Sequence, residues 1–323
     1  MSYAGPDFDS PQPPRRSRRR PLAVALAALV PGALLGWLVY EAVGAPGGSD
    51  AGARQSASAG TASPVRPVVP GDDGKRPSPP GSVSPTPAPS SAAAAAGGPL
   101  KGKVVVIDPG HNPGNFRHTA EINRSVDIGT GRKECDTTGT STNDGYAEAR
   151  FTLELAHRLR TLLEQQGATV KLTHDDGTRA WGPCVDERAR IGNTAHADAA
   201  VSLHADGAAA GDRGFHVILP ASVHAGAADT RPIAAASRDL GERIAGNFVR
   251  ATGNAPSNYV GGGTGLVTRR DLGGLNLSTV PKVFIECGNM RDGKDAALLT
   301  SGAWRQKAAQ GISEGIVGFL RGS

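Results

Sequence analysis

Residues 101–323 of this chain lack an excess of charge of either sign. They hold 26 Lys and Arg against 24 Asp and Glu, whereas the whole chain of 323 residues carries a formal net charge of +5. A protein that binds nucleic acid concentrates its basic residues on the folded domain. The balance therefore excludes a nucleic acid as the expected partner, and more than half of the basic excess lies in residues 1–100.

Cysteine is scarce, with three in the chain: Cys135, Cys184 and Cys287. Since the number is odd, at least one thiol stays outside any pairing within the chain. Cys135 and Cys184 lie in polar, turn-rich segments, whereas Cys287 ends an apolar run and is expected to be buried. We predict a disulfide between Cys135 and Cys184, which an exported domain permits, with three free thiols as the alternative.

Large apolar residues are almost absent from residues 46–99, which consist mainly of Ala, Gly, Pro and Ser. Such a segment cannot bury enough surface to offset the entropy lost on ordering, so we expect a disordered linker. The preceding residues 21–45 form a long apolar run. This run is long enough to cross a bilayer, which takes about 20 residues.

Residues 1–20 are polar and end in a cluster of arginines. Positive charge ahead of an apolar run keeps that end in the cytoplasm and places the rest of the chain outside it. Residues 21–45 are therefore predicted to be a transmembrane signal-anchor, with a cleaved signal peptide as the alternative. We expect residues 100–323 to form one monomeric domain in the cell envelope, held to the cytoplasmic membrane by residues 21–45, or exported if that segment is cleaved.

From Leu100 onward, short apolar runs alternate with stretches of helical periodicity. The apolar runs predict buried strands, and residues spaced three to four apart predict helices. The principal strands are expected at 103–107, 199–203 and 282–285, and the principal helices at 146–166, 232–252 and 303–320. Strands separated by helices predict a single α/β domain whose mainly parallel sheet is covered by helices on both faces.

Polar side chains follow three of the predicted strands where each one ends. These are His111 after the Asp108-Pro109-Gly110 turn, His204, and Glu286. Because the carboxyl ends of parallel strands share one edge of a sheet, where binding sites form, we expect the three side chains to converge. Each alone has an ordinary alternative, since a histidine after a strand is usually a hydrogen-bonded loop residue.

Glu148 lies at the start of the apolar stripe of the predicted helix 146–166. A carboxylate there is either favoured by the helix dipole or, if buried, requires a partner or a metal. Two histidines and a glutamate with one open position form a ligand set for catalytic zinc. Glu286 would then be free to act as a general base beside the metal.

Five segments resemble the zinc-dependent N-acetylmuramoyl-L-alanine amidases, the amidase-3 family, in the style of its actinobacterial and mycobacterial members. In chain order they read VVVIDPGH, GYAEARFTLELAHRL, CVDERARIGNTAHADAAVSLHADGAA, GFHV and VPKVFIECGNMRDGKDAALL. The resemblance covers residues 102–320. It implies that His111, Glu148 and His204 hold one Zn²⁺ and that Glu286 is the catalytic glutamate.

The resemblance also implies a function: a peptidoglycan hydrolase that cleaves the amide between N-acetylmuramic acid and the L-alanine of the stem peptide. Zinc would activate the attacking water, and Glu286 would accept its proton. Arg188, Arg269 and Arg270 are candidates for binding a stem-peptide carboxylate, and His216 for a supporting contact near the site. A non-catalytic cell-wall-binding or scaffolding protein of the same fold, and a zinc peptidase that cuts within the stem peptide, are the alternatives.

Overall fold

The structure, a computed structural model, describes residues 97–322. The predicted basic tail, membrane segment and most of the linker therefore lie outside the described residues. Within residues 97–322, none of the helices combines the length and the apolar character needed to cross a membrane.

The described residues contain ten strands and seven α-helices. The strands are β1 Val104–Pro109, β2 Ser125–Asp127, β3 Arg132–Glu134, β4 Thr169–Leu172, β5 Ala199–Asp206, β6 His216–Pro220, β7 His224–Ala225, β8 Ala228–Asp229, β9 Leu266–Arg269 and β10 Lys282–Asn289. The helices are α1 Thr119–Ile122, α2 Glu148–Gln165, α3 Val185–Thr194, α4 Ala234–Thr252, α5 Gly273–Asn276, α6 Gly293–Leu299 and α7 Gly302–Arg321. Strands therefore alternate with helices, as predicted for an α/β domain.

Six strands form the central sheet in the order β4-β1-β5-β10-β6-β9. The strands from β4 to β10 run parallel, β6 runs antiparallel to β10, and β9 is parallel to β6. Only residues 207–215 connect β5 to β6. A parallel return needs a crossover of a dozen or more residues, so this short connection explains why β6 reverses direction. The sheet is mainly parallel, as predicted.

The main apolar core lies between one face of the sheet and helices α2, α4 and α7. On α2, Phe151, Leu155 and Leu159 are fully buried against it. Their spacing places them on one side of the helix, and full burial of such a side chain contributes roughly 1.5–3 kcal/mol. Alternate residues of β1, Val105 and Ile107, complete this core from the sheet.

The opposite face of the sheet, under α3 and α5, carries the polar residues. Side chains alternate between the faces of a strand. Asp108, Ser202 and Lys282 therefore share this second face, where all three are buried and hydrogen-bonded together. His204 lies two residues after Ser202 on β5, so the same alternation places it on this face. Strands β5 and β10 continue past their apolar runs, so His204 and Glu286 lie inside the strands rather than just after them.

The long polar stretch between β1 and α2 holds short elements of its own, including the β2–β3 hairpin. A disulfide joins Cys135 to Cys184 and so fixes this stretch to the start of α3. Cys287 is a buried free thiol. The segment that approaches the carboxyl edge of the sheet is thereby attached to the domain at a second point.

Candidate metal centre

Glu148 is placed by the entry of the chain into α2. Its backbone N–H donates to the carbonyl of Thr140 at 2.9 Å, and the preceding residue, Ala147, is extended. The sequence predicts that this helix begins at residue 146, whereas the structure begins it at Glu148. The Glu148 carboxylate is nearly fully buried and accepts hydrogen bonds from the backbone N–H groups of Thr140 and Ala205.

Two imidazoles meet this carboxylate. Nδ1 of His204 lies 2.9 Å from Oε1 of Glu148, and Nε2 of His111 lies 3.2 Å from Oε2. The two rings are nearly perpendicular, with centroids 5.0 Å apart. One ring nitrogen from each histidine and one carboxylate oxygen all lie within 4.8 Å of one another. The three predicted ligands therefore converge.

The charges in this cluster favour a bound cation. Burial alone would raise the pKa of Glu148, but His111 and His204 hold it well below its usual range. Burial alone would lower the pKa of His111, whereas Glu148 and Asp136 raise it to about 10. The carboxylate is thus ionised and attracts positive charge. Since imidazole binds a metal only when deprotonated, metal binding would release the protons that the cluster otherwise holds.

The donor set fits zinc. Two imidazole nitrogens and one carboxylate oxygen are ligands that Zn²⁺ uses in catalytic sites, where a fourth position stays open to water or substrate. Strand β5 carries His204, the turn after β1 carries His111, and the first turn of α2 carries Glu148.

Glu286 of β10 is paired with His204 of β5 on one side and with His216 of β6 on the other. The three residues form a row across the same face of the sheet. Oε2 of Glu286 is buried and has no hydrogen-bond partner among residues 97–322. Burial raises the pKa of Glu286 well above its usual range, and the nearby carboxylates of Glu148 and Asp206 raise it further. Glu286 is thus a carboxyl group with an elevated affinity for a proton beside the cluster.

Asp206 and Tyr259 extend the polar group beyond Glu286. The Tyr259 hydroxyl donates to Oδ2 of Asp206 at 2.8 Å, and the rings of Tyr259 and His216 are nearly perpendicular, with centroids 5.9 Å apart. Sequence reasoning missed both residues. Asp206 had a signal, because it lies two positions after His204 on the same strand face. Tyr259 lies in a segment without periodicity and gave none.

A cavity of about 230 Å³ adjoins the two histidines. Phe284 lines it and stacks on the ring of His204 at 5.2 Å. Lys133 of β3 and Asp271, paired at 3.1 Å, line it as well. Both imidazoles therefore border open space.

The predicted substrate-binding residues differ in where the structure places them. Arg188 is buried, forms ion pairs with Asp108 and Asp136, and lies in the wall of the same cavity. Its contact with a substrate carboxylate stays a prediction. Arg269 is partly exposed and pairs with Asp271 at 2.6 Å, and its charge acts on Glu286. Arg270 is exposed, and His216 is buried beside Glu286.

An α/β sheet that carries two histidines, a buried carboxylate and an unpartnered glutamate at its edge is typical of metal-dependent hydrolases. The chain belongs to the Amidase_3 family, whose model, described as N-acetylmuramoyl-L-alanine amidase, matches residues 105–317. The resemblance expected from the sequence is thereby confirmed.

Individual proteins similar to this chain are amidases of the same name. The N-acetylmuramoyl-L-alanine amidase Rv3717 of Mycobacterium tuberculosis is 43% identical over 231 residues, which cover 71% of this chain and 91% of that protein. The crystal structure of the amidase Ami1 from Mycobacterium smegmatis superimposes with a TM-score of 0.63 at 38% identity, covering 69% of this chain and 99% of the other. Apo Ami1 from Mycobacterium abscessus gives 0.62 at 40% identity, covering 68% and 100%.

Proposed function

We propose that this protein hydrolyses the amide bond between N-acetylmuramic acid and L-alanine in peptidoglycan, with His111, Glu148 and His204 holding one zinc ion and Glu286 as the general base. The observation that carries the proposal is the convergence of the three donor groups within 4.8 Å, next to a glutamate whose Oε2 is buried without a partner in the part of the chain that the structure describes. Membership of the Amidase_3 family supports the same reaction.

A zinc ion bound by these three residues would supply a Lewis acid that polarises water and the scissile carbonyl. The protein's part is to hold the donors in place and to keep Glu148 ionised. The hydrogen bonds from the backbone N–H groups of Thr140 and Ala205 serve this purpose. They keep both carboxylate oxygens facing the two imidazoles.

Glu286 moves the proton. Its carboxylate accepts a proton from the attacking water as the new C–O bond forms at the carbonyl carbon. It then delivers that proton to the amide nitrogen as the C–N bond breaks. The products are a carboxylic acid on the lactyl group and a free amine on L-alanine, so atoms and charges balance. Burial raises the pKa of Glu286, and the positive charge of a zinc ion held beside it would favour the ionised carboxylate that accepts the proton.

Substrate contacts beyond the reacting bond are assigned to two arginines just ahead of Asp271, a residue that lines the cavity. Arg269 and Arg270 are our candidates for a stem-peptide carboxylate, since both are solvent-accessible. His216, behind Glu286, is assigned a supporting contact rather than a contact with the peptide.

Cell-wall amidases act outside the cytoplasm, and a disulfide such as Cys135–Cys184 persists in an oxidising compartment. We propose that the protein acts outside the cytoplasm and is attached to the membrane through residues 21–45.

Digestion of purified peptidoglycan, with and without a zinc chelator, tests the proposed function by mass spectrometry. We expect intact stem peptides that begin at L-alanine, and their loss on chelation and recovery on adding zinc. Fragments cut within the stem peptide would instead identify a zinc peptidase. Binding to peptidoglycan without zinc content or hydrolysis would identify a wall-binding protein.

A further inference from the structure

Arg188 of α3 uses every hydrogen-bond donor that it has. Nε donates to the carbonyl of Pro183 at 2.8 Å. Nη1 donates to Asp108 at 2.8 Å and to the carbonyl of Pro109 at 2.5 Å, and Nη2 donates to the carbonyl of His111 and to Asp136, both at 2.9 Å. A guanidinium has five N–H groups, and here each has a partner.

Two of these contacts hold the turn that carries His111. The carbonyls of Pro109 and His111 lie on either side of Gly110, and Arg188 binds both. His111 has φ of 61°, in the left-handed region. A residue other than glycine is strained there, by about 1–3 kcal/mol, and keeps that conformation only when its surroundings impose it. Arg188 supplies two of the bonds that impose it.

A third contact links Arg188 to the His111 imidazole indirectly, through Asp136. Asp136 accepts from Arg188 through Oδ2, while its Oδ1 lies 3.6 Å from Nδ1 of His111. Nδ1 also lies 3.1 Å from the carbonyl of Thr137. Acceptors around Nδ1 hold the proton on that nitrogen and leave Nε2, which faces Glu148, free to bind a metal. Arg188 thus acts on both the backbone and the ring of one ligand.

We propose that Arg188 is a positioning residue for the metal site: by binding the carbonyls of Pro109 and His111 and the carboxylate of Asp136, it holds His111 in its ligating conformation. This inference rests on the proposed function. It assigns to Arg188 a role toward zinc affinity that does not depend on contact with substrate.

Charge and geometry at this position are separable. Asp108 is bound by Lys282 at 3.0 Å as well as by Arg188, so a lysine at 188 would keep the local charge balance. A lysine cannot reproduce the planar fork of five donors. Arg188→Lys therefore removes the positioning contacts while keeping the cation.

Arg190 provides the matched control. It lies on the same helix, its side chain is 67% exposed, and it pairs with Glu187 at 3.3 Å. Arg190→Lys is the same chemical change without any contact to His111. The two variants and the wild type are compared in full-length protein for zinc affinity, measured by competition with a chromophoric chelator, and for Co²⁺ absorption, which reports ligand geometry.

We expect Arg188→Lys to bind zinc about 10–100-fold more weakly, the usual effect of losing a partner that orients a ligand, and to change the Co²⁺ spectrum. Arg190→Lys should match the wild type. Unchanged zinc affinity in a folded Arg188→Lys protein, or a raised KM with unchanged zinc affinity, would overturn the inference. If Arg188→Lys does not fold, Asp136→Asn must give the same direction of change. A wild-type protein that binds no zinc would instead refute the proposed function itself.

Discussion

Glu286 and His216 lie opposite each other on antiparallel strands β10 and β6, and each has a buried side-chain atom that finds no hydrogen-bond partner within the described residues. Opposed residues of such a pair have Cβ atoms about 5 Å apart. Unsatisfied buried polar atoms are rare in folded proteins and call for a specific reason. Here the reason we assign is a reacting group, since His204 of the proposed zinc site lies on the other side of Glu286.

Replacing the proposed base tests this assignment directly. Glu286→Gln keeps the size of the side chain but cannot accept a proton. We expect kcat on peptidoglycan to fall by about 10²–10⁴-fold, the range for general-base catalysis, while zinc content is retained. Stem-peptide release followed by chromatography and metal analysis of the same preparation provide the two measurements. Turnover at the wild-type rate would show that another group takes the proton.

A glycine beside the ligands gives a second prediction. Gly139 has φ of 73°, and a Cβ there would lie 2.7 Å from Cδ2 of His111 and 2.8 Å from Oε2 of Glu148. We expect Gly139→Ala to displace both ligands and to lower zinc affinity and activity together. Chelator competition and peptidoglycan hydrolysis measure the two effects.

Gly145 separates this clash from backbone strain. It has a similar φ of 85°, but no atom of the described residues lies within 4 Å of the position that its Cβ would take. Gly145→Ala should therefore cost only the left-handed backbone strain, about 1–2 kcal/mol of unfolding free energy, with zinc affinity unchanged. Equal losses of zinc affinity in the two variants would mean that strain, and not contact with the ligands, is responsible.

His216 predicts a dependence of stability on pH. Burial, aided by the charge of Arg269, lowers the pKa of His216 from 6.5 to about 4. The unfolded chain therefore binds a proton that the folded protein does not, and the stability present above pH 6.5 is lost as pH falls toward 4. The shift corresponds to a loss on the order of 3 kcal/mol.

His216→Asn should lose less stability than the wild type between pH 7 and pH 4. Urea unfolding at both pH values, in the presence of chelator so that zinc release does not contribute, measures the difference. Equal losses in the two proteins would show that His216 does not titrate abnormally. Other groups titrate in both proteins and cancel in the comparison.

The sequence was sufficient to predict the sheet and the converging residues, because buried parallel strands leave continuous apolar runs in the sequence. His111, His204 and Glu286 could be found since each follows such a run. Glu148 was only suggested by helical spacing. Its role depends on Thr140, which binds its backbone from outside any periodic element.

The features that the sequence does not predict depend on residues far apart in the chain. Arg188 resembles a surface residue of a helix, but its partners Asp108 and Asp136 lie 80 and 52 residues away in the chain. Nothing in the local pattern around Arg188 indicates that α3 turns this side chain toward the buried polar face of the sheet. The reversal of β6 is similar, because strand direction follows from the length of a connection rather than from the composition of the strand.

The disulfide joins the two segments that supply Asp136 and Arg188. Cys135 precedes Asp136, Cys184 lies one helical turn before Arg188, and the carbonyl of Cys135 accepts from the backbone N–H of Val185 at 2.7 Å. Reduction should therefore lower the free energy of unfolding, by roughly 2–4 kcal/mol for a disulfide of this kind, and should also weaken zinc binding.

Thermal unfolding and chelator competition, each with and without a phosphine reductant, measure both effects. The Cys135→Ser/Cys184→Ser protein should show the lower stability without reductant and no further change with it. Cys287→Ala, which leaves the bridge intact, should respond to reductant as the wild type does. A wild-type protein whose stability and zinc affinity are unaffected by complete reduction would contradict the prediction.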